Sequence, residues 1–205
     1  MHKLVSFLSI FLFSPGNFFS STLKGNMKDS TSKTILILSI IVFAAFARLL
    51  PFLPNFAPIT ALAIFGAMTF SNKRLALILP LLAMLLSDLL LASVKSDWGY
   101  AFHDTTVAVY LCFIAVVGIG LFASRKKNYT SVVLATLGGS VLFFVVTNFA
   151  VWSLGTMYAH TVEGLVTCYA MAIPFFRNSL IGDFSYVALM FGAYEISQRF
   201  ALRRV

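Results

Sequence analysis

Side chains capable of recognition chemistry are thinly scattered through an otherwise apolar chain. Arg48, Asp88, Tyr110, Asn148, Trp152, Arg177, Asn178 and Asp183 fall near the ends of its long hydrophobic runs, with Asn55 in a proline-rich turn. A charge inside bilayer hydrocarbon costs at least about 2.5 kcal/mol on insertion scales, so such groups turn inward and find partners. Two arginines and two aspartates can do this in two ways. They can neutralise one another as ion pairs that tie helices together. They can also wall a cavity for a small polar molecule, in which the planar guanidinium of Arg48 or Arg177 grips a carboxylate bidentately.

Position along each run points to a shared level. At about 1.5 Å rise per residue, Arg48 lies about one turn from the end of its run. Asp88, Asn148 and Asp183 each lie about five residues, roughly 8 Å, from theirs, and Tyr110 is similarly placed. Five helices are therefore expected to present a polar group at one depth of the outer leaflet, around a cavity also walled by Tyr169 and Tyr186. Asn148 and Trp152, four residues apart, share a helical face. An interhelical amide bond and an interfacial tryptophan account for that pair equally well without a ligand.

The elements that carry these residues follow from composition. The chain has 205 residues, 60% hydrophobic and 11% charged; soluble domains carry about a quarter charged residues, so this is a membrane domain. Crossing a bilayer takes about 20 apolar residues. The runs 34–51, 59–70, 75–93, 105–123, 131–153 and 178–197 give six transmembrane helices. The second is short and rich in small residues (Ala61, Ala63, Gly66, Ala67), which suits close packing against neighbours. Pro51, Pro54 and Pro58 keep the preceding turn out of regular helix, and Pro80 is expected to bend the third span.

Lys and Arg crowd at 24–33, at Lys73 and Arg74, at 125–127 and at 199–204, which is every second connection. The positive-inside rule places these clusters and both termini in the cytoplasm. The segment 154–176 is too short to span alone and too apolar for a free loop. A seventh crossing would put Arg199, Arg203 and Arg204 outside, so the segment is expected to be an outer re-entrant or lid-like piece before the last helix. Trp98, Tyr100 and Phe102 suit an aromatic belt at headgroup level. The expectation is an all-α, multi-pass protein of the cytoplasmic (inner) membrane. Residues 34–197 form the membrane domain and 198–205 a basic tail.

Several function classes drop out. The formal charge of +8 sits at helix ends on one side, which the membrane explains without nucleic acid. No nucleophile–base pair, glycine-rich phosphate loop or HExxH is present, and Ser87 and Asp88 are adjacent on a helix and point apart, so no enzyme is expected. His103 with Asp104 and His160 with Glu163 fall short of the three or four convergent ligands a metal needs, so no metal or other cofactor is expected. Cys112 and Cys168 lie in apolar runs and read as small hydrophobes. No cytoplasmic loop is large enough to bind ATP. Residues 1–33 read as an N-terminal extension: the apolar run 4–13 is too short to span, and either a true start at Met27, followed by Lys28, or a cleaved signal peptide accounts for it.

Several strings carry a family resemblance. They are Arg48-Leu-Leu-Pro51, Pro54-Asn-Phe-Ala-Pro-Ile59, Ala63-Ile-Phe-Gly-Ala67, Leu86-Ser-Asp88, Asn148-Phe-Ala-Val-Trp152 and the run from Cys168 to Asn178, with Gly182-Asp183. Over about residues 34–197 they resemble a family of small bacterial membrane proteins of unassigned function. That family is similar in size, helix number and topology to the substrate-binding S components of energy-coupling-factor (ECF) transporters. The resemblance implies capture of a vitamin or similar micronutrient in an outward cavity closed by loops. It also implies docking on a transmembrane coupling subunit and two cytosolic ATPases, for which Ala44, Ala45 and Ala47 offer small residues on the first helix. The rival readings are a structural or assembly protein without a ligand, and an ion-coupled carrier in which Asp88 or Asp183 titrates.

Overall fold

The computed structural model describes residues 30–47, 58–126 and 128–202. The described residues form six α-helices and no strand. These are α1 (Ser30–Ala47), α2 (Ile59–Thr69), α3 (Lys73–Lys95), α4 (Thr106–Ala123), α5 (Tyr129–Leu154) and α6 (Val162–Leu202), with a single 3₁₀ turn at Trp98–Tyr100. α3, α4, α5 and the stretch Val162–Ser197 of α6 are long and apolar enough to cross a membrane, which marks a multi-pass membrane protein. Arg48 and Asn55 lie outside the described residues.

Short connections make successive helices antiparallel neighbours, and their ends are locally specified. Asn72 caps α3 by accepting from the Arg74 N–H at 2.9 Å, and Asn128 caps α5 by accepting from the Ser131 N–H at 2.8 Å. At the far end of α3, Ser96 takes the left-handed conformation (φ 53°) that reverses the chain, and the Asp97 N–H bonds the Ala92 carbonyl at 3.0 Å. The turns carrying Lys73, Arg74, Arg125 and Lys126 therefore gather at one end of the bundle, hereafter the basic end. The α3–α4 and α5–α6 turns lie at the other.

α2 is the hub. Every residue from Thr60 to Thr69 is buried, so this helix is apolar all round because it has no lipid face. Its neighbours approach through glycine: a Cβ at Gly120 of α4 would lie 2.7 Å from the Ala67 Cβ, and one at Gly139 of α5 would lie 2.8 Å from Thr60 Cγ2. Small residues let helix backbones meet where lipid supplies no hydrophobic drive for association. Phe65 fills the remaining space, edge-on to Phe191 (5.2 Å) and Tyr194 (6.0 Å) of α6.

One expectation is corrected. Residues 162–176 are not a separate re-entrant or lid-like piece; they are the first four turns of a continuous 41-residue α6 that passes through Pro174. At about 1.5 Å per residue this helix is roughly 60 Å long, twice a hydrocarbon core. Proline removes one donor, but neighbouring helices hold a proline-containing membrane helix together. Here α5 does so: Tyr169 donates its hydroxyl to the Val145 carbonyl at 2.6 Å, and Phe144 packs on both Tyr169 and Phe176. The short 155–161 turn forces this antiparallel pairing.

Candidate functional site

Three carboxylates are buried, Asp88, Asp183 and Glu195; the two that the sequence singled out, Asp88 and Asp183, sit at different depths. Asp88 is on the inward face of α3 with Ala83, Met84, Ser87 and Ala92, while Leu86 and Leu90 of the same helix face out. It lies fifteen rises from Lys73, roughly 22 Å above the basic end; Tyr110 lies thirteen rises from Ala123, roughly 20 Å. Equal height on neighbouring helices lets them meet, and the Tyr110 hydroxyl donates to Asp88 Oδ2 at 2.8 Å. Ser87 is satisfied within its own helix, donating to the Met84 carbonyl at 2.7 Å.

Beside this pair, α3, α4 and the loop between them border an open groove of about 320 Å³. Leu85, Ala101, Phe102, Tyr110, Leu111 and Ile114 line it. Phe102, stacked on Trp98 at 6.5 Å, forms its roof. The loop is self-satisfied: Thr106 accepts from the His103 N–H at 2.8 Å, and the Thr105 hydroxyl bonds His103 Nδ1 at 2.8 Å.

Asp183 is elsewhere. Sequence distance from a span starting at 178 places it near the outer surface, but α6 starts at Val162, twenty-one rises or roughly 32 Å earlier. Its carboxylate is 3% exposed and meets the start of α2. It accepts from the Ser140 hydroxyl at 2.7 Å, from the Thr60 hydroxyl, and from the backbone N–H groups of Thr60 and Ala61. Ile59 is ten rises above Thr69 and Ser140 eleven above Tyr129, so both helices put this cluster about 15–16 Å from the basic end. That distance is about half the thickness of a hydrocarbon core, which is about 30 Å.

The chemistry of that junction is helix capping across the bundle. Pro58 occupies the N-cap of α2 and offers no side-chain acceptor. The first N–H groups of a helix need partners, and its amino end carries about half a positive charge. Asp183 supplies the acceptor. Half-helix amino ends at mid-bilayer commonly receive anionic substrate groups; here the protein's own carboxylate fills that position.

The remaining expected residues do not converge on one cavity. Asn148 is nineteen rises, roughly 28 Å, above Tyr129 because α5 is eight residues longer than α4. Its side-chain N–H donates to the Phe144 carbonyl of its own helix at 2.7 Å, and its carbonyl lies 3.5 Å from the Cys168 sulfur. Trp152 donates its indole N–H to the Ala159 carbonyl at 2.9 Å, closing the α5–α6 turn, and stacks edge-on with His160 at 5.7 Å. Arg177 is exposed on α6, and Asn178 beside it is half-buried. Of the five groups expected at one depth, the four within the described residues occupy three. Sequence reasoning missed Ser140 and Thr60; the signal available was Pro58, a helix start with no cap of its own. Among the described residues no three metal-ligating side chains cluster.

No curated protein and no solved structure matches the chain. Residues 28–203, nearly the whole length, match a family described as "Family of unknown function (DUF6580)". A match that runs through all six helices and both carboxylate clusters makes the chain a member of the DUF6580 family.

Proposed function

We propose that the protein is a membrane-embedded substrate-binding subunit for uptake of a small micronutrient such as a vitamin, energised by a separate transmembrane coupling subunit and cytosolic ATPases. The observation that carries this reading is the Asp88–Tyr110 pair beside the α3–α4 groove. A buried intramembrane carboxylate is expensive to keep. Its partner Tyr110 forms part of the wall of a cleft of small-molecule size, as a recognition site needs. The energising partners rest on the resemblance to S components. In this reading the basic end is cytoplasmic by the positive-inside rule, and the groove opens on the outer side.

Asp183 favours a second role within the same bundle. Its donors are all the protein's own, so part of the polar set is architecture rather than binding surface. The deciding experiment is mass spectrometry of small molecules extracted from gently purified wild-type protein and from Asp88→Asn. A stoichiometric compound held by the wild type and lost from the variant supports the binding subunit. A folded, monodisperse and empty wild type supports the purely structural reading.

A further inference from the structure

Arg177 stands on a part of α6 where a cation is costly to keep. Ala170, Pro174 and Arg177 are all exposed, and their spacing of four and three puts them on one stripe. Ile173 and Ile181 beside them are 60% and 45% exposed, so the stripe belongs to the apolar outer face of the helix. Cys168, Ala172 and Asp183 occupy the buried face, which turns Asp183 away from Arg177. The other acids of α6, Glu163 and Glu195, are fourteen and eighteen rises off, roughly 21 and 27 Å. Pro174 adds a second feature to the stripe. It has no N–H, so the carbonyl four residues earlier, that of Ala170, loses its helical donor.

The height of these two groups says what meets them. Arg177 is six rises beyond Asp183, about 25 Å from the basic end, and Ala170 is seven further, about 35 Å. With the basic turns at the cytoplasmic headgroups, as in the proposed function, a hydrocarbon core about 30 Å thick ends between the two. Side chains lean toward the amino end of their helix, which for α6 is the outer end. Arg177 therefore lies along apolar surface with its head directed to the outer phosphates, which a planar guanidinium grips bidentately. The Ala170 carbonyl above it calls for an N–H donor. A primary ammonium such as ethanolamine's has three; the quaternary nitrogen of choline has none.

We infer that the Ala170–Pro174–Arg177 stripe of α6 is a headgroup site for an outer-leaflet ethanolamine phospholipid, with the phosphate on Arg177 and the ammonium on the Ala170 carbonyl. The inference takes only its sidedness from the proposed function; Asp88 and Tyr110 have no part in it.

The test reconstitutes the full chain in vesicles of equal parts phosphatidylethanolamine, phosphatidylcholine and phosphatidylglycerol, then counts the lipids it retains by native mass spectrometry. The wild type should hold the ethanolamine lipid about tenfold over the choline lipid, as one hydrogen bond to a charged group contributes. Arg177→Gln, at an exposed position, should lose that retention. Pro174→Ala returns an N–H to the Ala170 carbonyl and should keep a bound phospholipid while binding the ethanolamine and choline forms equally. Equal retention of the two by the wild type overturns the inference, as does a preference that survives either variant. Arg177-dependent retention of phosphatidylglycerol above both would show that charge alone acts, and overturns it too. Failure here leaves the binding subunit standing, since the small-molecule extraction with Asp88→Asn reads a different part of the protein.

Discussion

The Ser140 hydroxyl of α5 and the Asp183 carboxylate of α6 meet at 2.7 Å directly over the amino end of α2. Three helices are joined there by hydrogen bonds to one carboxyl group, buried where water cannot substitute for a missing partner. Gly139 makes the contact reachable, since a side chain at that position would hold α5 away from Thr60.

Removing the carboxyl group should therefore cost more than an ordinary surface cap. Asp183→Ala strands the backbone donors of Thr60 and Ala61, and the expected loss is about 3 kcal/mol, combining a lost cap with unsatisfied buried donors. Asp183→Asn keeps one acceptor oxygen and should lose about half as much. Thermal unfolding in detergent, followed by circular dichroism, reads both. An unchanged midpoint for the alanine variant would show that the carboxylate does not hold α2.

Glycines in this bundle should divide sharply by position. Gly120→Leu and Gly139→Leu push against Ala67 and Thr60 and should destabilise by at least about 1–3 kcal/mol through overpacking. Gly118 and Gly138 have open space where a Cβ would stand. Their alanine variants should gain about 0.5–1 kcal/mol, because alanine is the better helix former. The same unfolding assay distinguishes the two pairs, and equal behaviour would contradict the packing.

Tyr110→Phe deletes one donor to Asp88 and changes almost no volume. A hydrogen bond to a charged group contributes about 1.5–3 kcal/mol, so stability should fall within that range. Ligand occupancy by extraction and mass spectrometry should fall with it if Asp88 needs the phenol to keep its position. Full occupancy with normal stability would remove the pair from the proposed site.

The sidedness in the proposed function is tested by labelling single cysteines in a Cys112→Ser, Cys168→Ser background with a membrane-impermeant maleimide. Ser71→Cys and Lys126→Cys should react only after the membrane is opened. Met157→Cys, in the α5–α6 turn, should react in intact cells. The reverse pattern would invert the topology and with it the outward groove.

Much of the fold was legible in the sequence because the bilayer acts as a length gauge. Hydrophobic runs bounded by basic turns gave six helices in the right order, and the structure shifts most of their ends by only a few residues. Small residues in 59–70 correctly read as a packing helix rather than a lipid-facing one. The 154–176 segment misled because Pro174 reads as a break in a single chain, whereas its neighbour α5 holds the helix together across it.

Composition and hydrophobic patterning alone determined that the chain is a helical membrane protein, where all but the last of its turns lie and which residues carry chemistry, since each is fixed by local hydrophobicity and charge. Tertiary structure decided where those residues stand relative to one another. Depth depends on where a helix begins and which neighbour it packs against: α6 starts sixteen residues before the expected 178, α5 outreaches α4, and α2 begins halfway across. Asp88 therefore meets Tyr110 beside a groove, while Asp183 meets the end of another helix. Two aspartates of the same type in similar apolar runs acquire different roles because burial leaves each only the partners within hydrogen-bond reach.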